Sequence, residues 1–208
     1  MVGQKLRKGL ACLIGSCSVI LLAAPDASGQ GAVWSVRAGG GLVNSPNELS
    51  PNTNGATLDV DAGVSFAFDV SRTLTPGLEV QIGVLGYRVP IEWREPHRAS
   101  TNGLQRSALT IGVMVDLLRL PATSVYAGPL LAGTNRSSAY TSDGTQVIRA
   151  SGAVGVGVEA GMRWPGFVDR KRLALDANIK WLVLREPLST NTNLGDPIIT
   201  TIGLLYRF

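Results

Sequence analysis

The sequence predicts an all-β chain: a transmembrane, up-and-down antiparallel β-barrel of about eight strands. Three observations predict it. Long stretches alternate apolar and polar residues with period two, and several of these runs are long enough to cross hydrocarbon on a tilt. The segments between them are alternately short and long, a parity that a soluble sandwich has no reason to keep.

The first residues read as something other than fold. Lys5, Arg7 and Lys8 precede a mostly apolar stretch from Gly9 to Ala24, and small residues at Ala27-Ser28-Gly29 offer a cleavage site. Residues 1–29 are therefore expected to be a cleaved signal peptide, and 30–208 the barrel. The apolar stretch is short for a spanning helix and ends abruptly at Pro25-Asp26. Both cysteines, Cys12 and Cys17, fall in this segment, so the mature chain is expected to have neither disulfide nor thiolate chemistry. Lys5, Arg7, Lys8 and Asp26 leave with it, which lowers the formal charge from +4 to +2 and leaves no basic footprint for nucleic acid.

Six segments carry the alternation clearly. Leu58, Val60, Ala62, Val64, Phe66, Phe68 and Val70 form one greasy face, interleaved with Asp59, Asp61, Gly63, Ser65, Ala67 and Asp69. The pattern recurs over Leu78–Val84, Leu109–Leu117, Val154–Trp164, Leu173–Val183 and Ile198–Phe208. No residue on the six greasy faces is charged, whereas charged residues recur on the interleaved faces. Two further strands read less clearly. Trp34–Val43 alternates until it meets Gly39-Gly40-Gly41, and Val125–Gly133 contains Pro129, which cannot donate to a sheet ladder.

The linkers take turns in length. Ser71–Gly77, Arg119–Thr123 and Pro165–Lys171 are short, while Asn44–Gly55, Arg88–Gly103, Thr134–Gln146 and Arg185–Pro197 are long. In a membrane barrel the short turns lie on the periplasmic side and the long loops outside. The aromatics Trp34, Phe68, Trp164, Tyr206 and Phe208 are then expected to form a girdle at the periplasmic interface.

The chain's last strand is the most specific feature. Thr201, Gly203, Tyr206 and Phe208 supply a polar residue, a glycine two later, and aromatics in the third-last and last places. This pattern resembles the C-terminal assembly signal of outer-membrane barrels, and the whole mature chain resembles the small eight-stranded outer-membrane (porin-like) β-barrel proteins of Gram-negative envelopes. The resemblance implies residence in the outer membrane, contact with its lipid, and recognition of the last strand by the barrel-assembly machinery, physically a strand addition.

On these registers Asp59, Asp61, Asp69, Glu79, Asp116, Glu159 and Asp176 share the lumen with Arg37, Arg106, Arg163, Lys180 and Arg207. An eight-stranded barrel has room inside only for side chains, so opposite charges are expected to pair in a network. Glu159 and Arg163 face Lys180 and Asp176 as candidate cross-strand partners.

Other motifs read blandly. Gly155-Val156-Gly157 with Gly161 lacks the following helix of a dinucleotide site, and Asn191–Asp196 lacks the acidic ladder of a calcium loop. The single histidine, His97, sits in a loop near Glu95 and Ser100 and reads as solvated rather than catalytic. The expectation is a non-enzymatic barrel without cofactor or metal, holding a plugged, charged lumen and presenting loops for surface interaction or envelope integrity. A narrow pore, a carrier for a small apolar ligand and a secreted β-sandwich are the alternatives.

Overall fold

The computed structural model describes residues 33–44, 57–95, 98–140, 146–148, 150–166, 172–185 and 196–208. Residues 1–29, the expected signal peptide with Cys12 and Cys17, lie outside them, as do His97 and the greater part of the long linkers after Asn44, Tyr140 and Arg185.

Eight long strands close on themselves. They are β1 (Trp34–Asn44), β2 (Gly63–Thr75), β3 (Leu78–Glu95), β4 (Arg98–Leu120), β5 (Thr123–Arg136), β6 (Ser151–Pro165), β7 (Leu173–Arg185) and β8 (Ile198–Arg207). Each pairs antiparallel with its neighbours in sequence, and β1 pairs with β8 to complete the circle. A short strand, Thr57–Val60, adds to the far end of β3, and Ala139–Tyr140 pairs with Gln146–Ile148 in a small hairpin.

Register fixes the shape. Following the register once round the barrel leads from Trp34 through Arg72, Val80 and Val113, across a lapse in the ladder to the level position Pro129, and on through Val158, Trp181 and Ile198 to Asn44. The path returns to β1 ten residues beyond its start. Such a stagger tilts the strands by about 40° and leaves an interior that side chains can fill.

The alternation reads the two faces correctly through the barrel wall. Val64, Phe66, Ile82, Ile111, Val113, Val156, Val158, Ile179, Ile202 and Leu204 all point outward and are exposed. Pro129 is accommodated on that outward face. The β4–β5 ladder lapses between Gly112↔Leu130 and Val115↔Ala127, while the β5–β6 ladder runs on through Pro129↔Val158. One side of the strand thus absorbs the missing donor. Gly39-Gly40-Gly41 likewise stays in strand, paired on both sides.

Four sequence readings need correction. Arg88–Gly103 is a hairpin of paired strand rather than a loop, with β3 reaching Glu95 and β4 starting at Arg98. The turn after β2 is only Pro76-Gly77, Gly77 taking a φ of 95°. Because β2 therefore runs on to Thr75, Phe68 faces Ala38 in mid-strand and does not join the aromatics at the strand ends. Asp61-Ala62 also breaks the run that seemed continuous from Leu58 to Val70.

Candidate functional site: the lumen and the seam

The end of the barrel carrying the tight turns also holds Trp34 and Phe208; the opposite end carries the long linkers. Inward positions differ between the two ends. Near the turn end and at mid-height they are mostly polar, with Met114, Ala174 and Leu205 among them. Toward the loop end apolar side chains dominate, although Arg106 and Arg136 are also buried there: Val43, Ala67, Leu85, Tyr87, Val89, Ala108, Leu130, Ala132, Ala153, Leu182, Leu184 and Ile199 form one buried cluster that continues through Met114 and Tyr126. The interior is two-tiered.

Arg37 on β1 organises the polar tier. Its guanidinium donates from Nε to Asp69 Oδ2 of β2 at 2.8 Å and from Nη1 to Asp176 Oδ1 of β7 at 3.0 Å. Its Nη2 lies 2.6 Å from Glu159 Oε1 on β6, and Nη1 also reaches the Tyr126 hydroxyl on β5. One side chain therefore ties together strands on opposite walls. Lys180 sits between Asp69 and Glu159, with Nζ at 3.1 Å and 3.2 Å from their carboxylates. Arg163 donates from Nη1 to Glu79 at 2.8 Å and from Nε to Asp176 at 3.2 Å.

The register explains who meets whom. Glu159 is the paired residue of Lys180, Arg163 of Asp176, and Arg37 of Asp69. Glycines stand where a side chain would obstruct this. A Cβ on Gly83 would collide with the Asp69 carboxylate, and one on Gly161 with the Tyr126 ring. Tyr126 fills that space, with the Arg163 guanidinium 4.1 Å from its ring centroid.

Neutral groups complete the tier. Gln81 donates to Glu159, Asn178 Nδ2 to Asp176 Oδ1 at 2.9 Å, and Thr201 Oγ1 to Asn178 Oδ1 at 2.9 Å. Ser35 and Ser71 hydroxyls pair at 2.6 Å. Glu159, Asp176 and Lys180 have no exposed surface. Ions so deeply desolvated are tolerable only with this density of partners.

Arg37, Asp69, Glu79, Glu159, Arg163, Asp176 and Lys180 are thus brought together. Five other charges assigned to the lumen stand apart. Asp61 is exposed beyond the start of β2, and Asp59 lies in the short strand paired with β3, opposite Glu92. Asp116 pairs instead with Arg119 at 2.6 Å beside a bulge near the turn. Arg207 is half-buried at the turn-end mouth, and Arg106 is buried higher up beside its paired residue Arg136. Period-two spacing assigns a face but no height, so these five are indistinguishable from the rest in sequence. Tyr126, Gln81 and Asn178 carried no charge signal, and Tyr126 lies on the strand that Pro129 made hard to register.

The terminal pattern divides between the two faces. Thr201 and Gly203 point into the lumen; Tyr206 and Phe208 point outward, edge to face with ring centroids 5.1 Å apart. Phe208 N–H donates to Trp34 O at 2.9 Å, so the last residue is bound to the first strand.

Outside, β7 shows the belt at full height: Leu173, Leu175, Ala177, Ile179, Trp181 and Val183 are its lipid-facing residues. A tilted strand needs roughly 9–11 residues to cross the hydrocarbon. The belt ends in Asn44, Arg88, Ser107 and Asn135 at the loop end and in Trp34, Trp164, Tyr206 and Phe208 at the turn end. Closed strands leave no unpaired edge within such a belt, the condition for β-structure in lipid.

Fold and belt together define a small outer-membrane β-barrel, and they place the protein in the outer membrane. Solved structures agree on the fold. Neisserial surface protein A is similar with a TM-score of 0.57 at 14% identity, over 86% of this chain and 100% of that one. The outer-membrane protein AlkL in lipid bilayers gives 0.54 at 12% identity, over 89% and 94%. Ail, the attachment invasion locus protein of Yersinia pestis, in complex with the heparin analogue sucrose octasulfate, gives 0.51 at 14%, over 86% and 100%. No family model and no curated protein matches the sequence.

Proposed function

We propose that this is a non-enzymatic barrel with a sealed lumen, whose role is to hold its loop-end segments at the cell surface for interaction or envelope integrity. The observation that carries the reading is Arg37, which spans the interior to Asp69, Glu159, Asp176 and Tyr126. A hydrated solute entering from the turn end meets this ion-paired tier, which has little room for water. One entering from the loop end passes the buried Arg106 and Arg136 and then meets the apolar tier, where an ion loses its hydration. That Neisserial surface protein A and Ail are named for surface location and attachment accords with a role carried by the exposed end.

The apolar tier favours a second reading, a carrier that admits a small apolar molecule between Leu85, Leu182 and Ile199. The two are separated by liposome swelling together with uptake of a fluorescent apolar probe. The sealed barrel is expected to pass neither sugars nor probe. Swelling in sugar would overturn the seal, and probe uptake alone would favour the carrier.

A further inference from the structure

One row of the register runs polar through the apolar half of the lumen. Ser65 on β2 pairs with Tyr87 on β3, Tyr87 with Arg106 on β4, Arg106 with Arg136 on β5, and Arg136 with Ser151 on β6. All five take inward positions on their strands, and Ser65, Tyr87, Arg106 and Arg136 are each more than nine-tenths buried. Paired positions hold their Cβ atoms about 5 Å apart, so the two arginine stems start side by side, with hydroxyl-bearing residues on either flank.

The inward neighbours of this row are uncharged. One step toward the turn end stand Ala67, Leu85, Ala108, Thr134 and Ala153; one step the other way stand Val89 and Leu104. Two adjacent cations in such surroundings favour a negative charge between them. Tyr87, Arg106 and Arg136 engage other groups of the chain as well. The serines at the two ends differ: Ser65 Oγ and Ser151 Oγ are buried and make no hydrogen bond among the described residues. A buried hydroxyl without a partner is costly, and a bound acceptor satisfies it.

The wall beneath the row is built small. Ala67, Ala108 and Ala153 present only methyl groups there, while Leu182 and Ile199 stand on β7 and β8, across the barrel from β3 and β4. A carboxylate matches the forked donors and hydroxyls of the row, and an aliphatic chain matches the tier below it.

We propose that this row is the head site of an amphiphilic carboxylate, in its simplest form a fatty-acid anion, whose chain lies against the apolar tier. The inference rests on the carrier reading of that tier, to which it adds a charged head and an orientation. Arg37 and its partners still close the lumen beneath, so binding here needs no passage.

The test reconstitutes the full barrel in phosphatidylcholine vesicles and follows thermal unfolding by gel mobility with dodecanoate, dodecanol or acetate added. Dodecanoate is expected to raise the unfolding temperature, because a ligand of the folded state stabilises it, while dodecanol and acetate at the same concentration should not. Arg106→Gln and Arg136→Gln should each raise the dodecanoate concentration required by about tenfold or more, the worth of a charge-assisted hydrogen bond. Arg88→Gln, on the outward face, should leave it unchanged. Ser65→Ala keeps the test readable if the arginine variants fold poorly: without ligand it should be as stable as the wild type, yet respond less to dodecanoate. Dodecanol as effective as dodecanoate would overturn the head site and leave the carrier standing. Acetate as effective as dodecanoate, or a dodecanoate effect undiminished in Arg136→Gln and Ser65→Ala, would overturn the amphiphile site. No response to dodecanoate or dodecanol would overturn the site and the carrier together, leaving the sealed barrel.

Discussion

Gly39 and Gly203 face each other across the seam where the first and last strands meet, and neither leaves room for a side chain. A Cβ on Gly39 would lie 2.7 Å from Ile202 O, and one on Gly203 would run into Ala38 O and the Gly39 backbone. The glycine of the terminal pattern therefore has a task in the closed barrel itself.

From this follows a prediction about closure. Gly39→Ala and Gly203→Ala should each destabilise the barrel by about 1–3 kcal/mol, the usual cost of overpacking. The effect should appear in urea unfolding after refolding into detergent, with no assembly machinery present. Gly133→Ala is the control, since nothing lies near a Cβ there. Were Gly39→Ala and Gly203→Ala to refold like the wild type, the glycine would matter only for recognition.

A second prediction separates recognition from stability. Tyr206 and Phe208 project from the seam toward lipid and touch no part of the ionic tier. Changing both to Ala should leave export intact and refolding into detergent nearly normal, yet block assembly in cells. A normal outer-membrane yield of the double variant, judged by fractionation and heat-dependent gel mobility, would contradict this.

Most of the barrel wall was legible because lipid outside and polar groups inside give a strand the strongest contrast it can have. The loop-end half obeys a different rule. There Leu85, Tyr87 and Val89 point inward while Gly86, Arg88 and Pro90 point out, so the alternation continues in the opposite phase. In sequence this reversal looks like an ending, and Arg88–Gly103 takes on the look of a loop. The ionic tier was legible in composition but not in height. Period-two spacing puts Asp69 and Asp61 on one face, yet only the former lies in the strand, level with Arg37.

A third prediction tests the faces by chemistry. Cysteines at Val156 and Ile179, both outward and about half exposed, should react with lipid-phase probes. One at Ala132, buried in the apolar tier, should not. Gly157 is a poor inward probe because a Cβ there would meet Trp181 O. Equal labelling of all three by a water-soluble reagent would be incompatible with a membrane barrel.

The fourth prediction concerns the ionic tier. Arg37→Ala leaves Asp69, Glu159 and Asp176 short of a partner at once. Breaking a buried pair of this kind costs about 3–5 kcal/mol. Arg163→Ala, which strips Glu79 and Asp176, should fall in the same range. Val158→Ala on the lipid face should cost far less. Urea unfolding of the refolded variants orders them, and parity between Arg37→Ala and Val158→Ala would mean the tier contributes little.

Whether the lumen is sealed is decided most directly by current through single barrels in a planar lipid bilayer. The wild type should be silent or nearly so, with Arg37 and its partners filling one tier and Leu85, Leu182 and Ile199 the other. Arg37→Ala, combined with Leu182→Ala to thin both tiers, should introduce conductance. A large, steady conductance in the wild type, unchanged in the double variant, would contradict the sealed barrel and establish a pore.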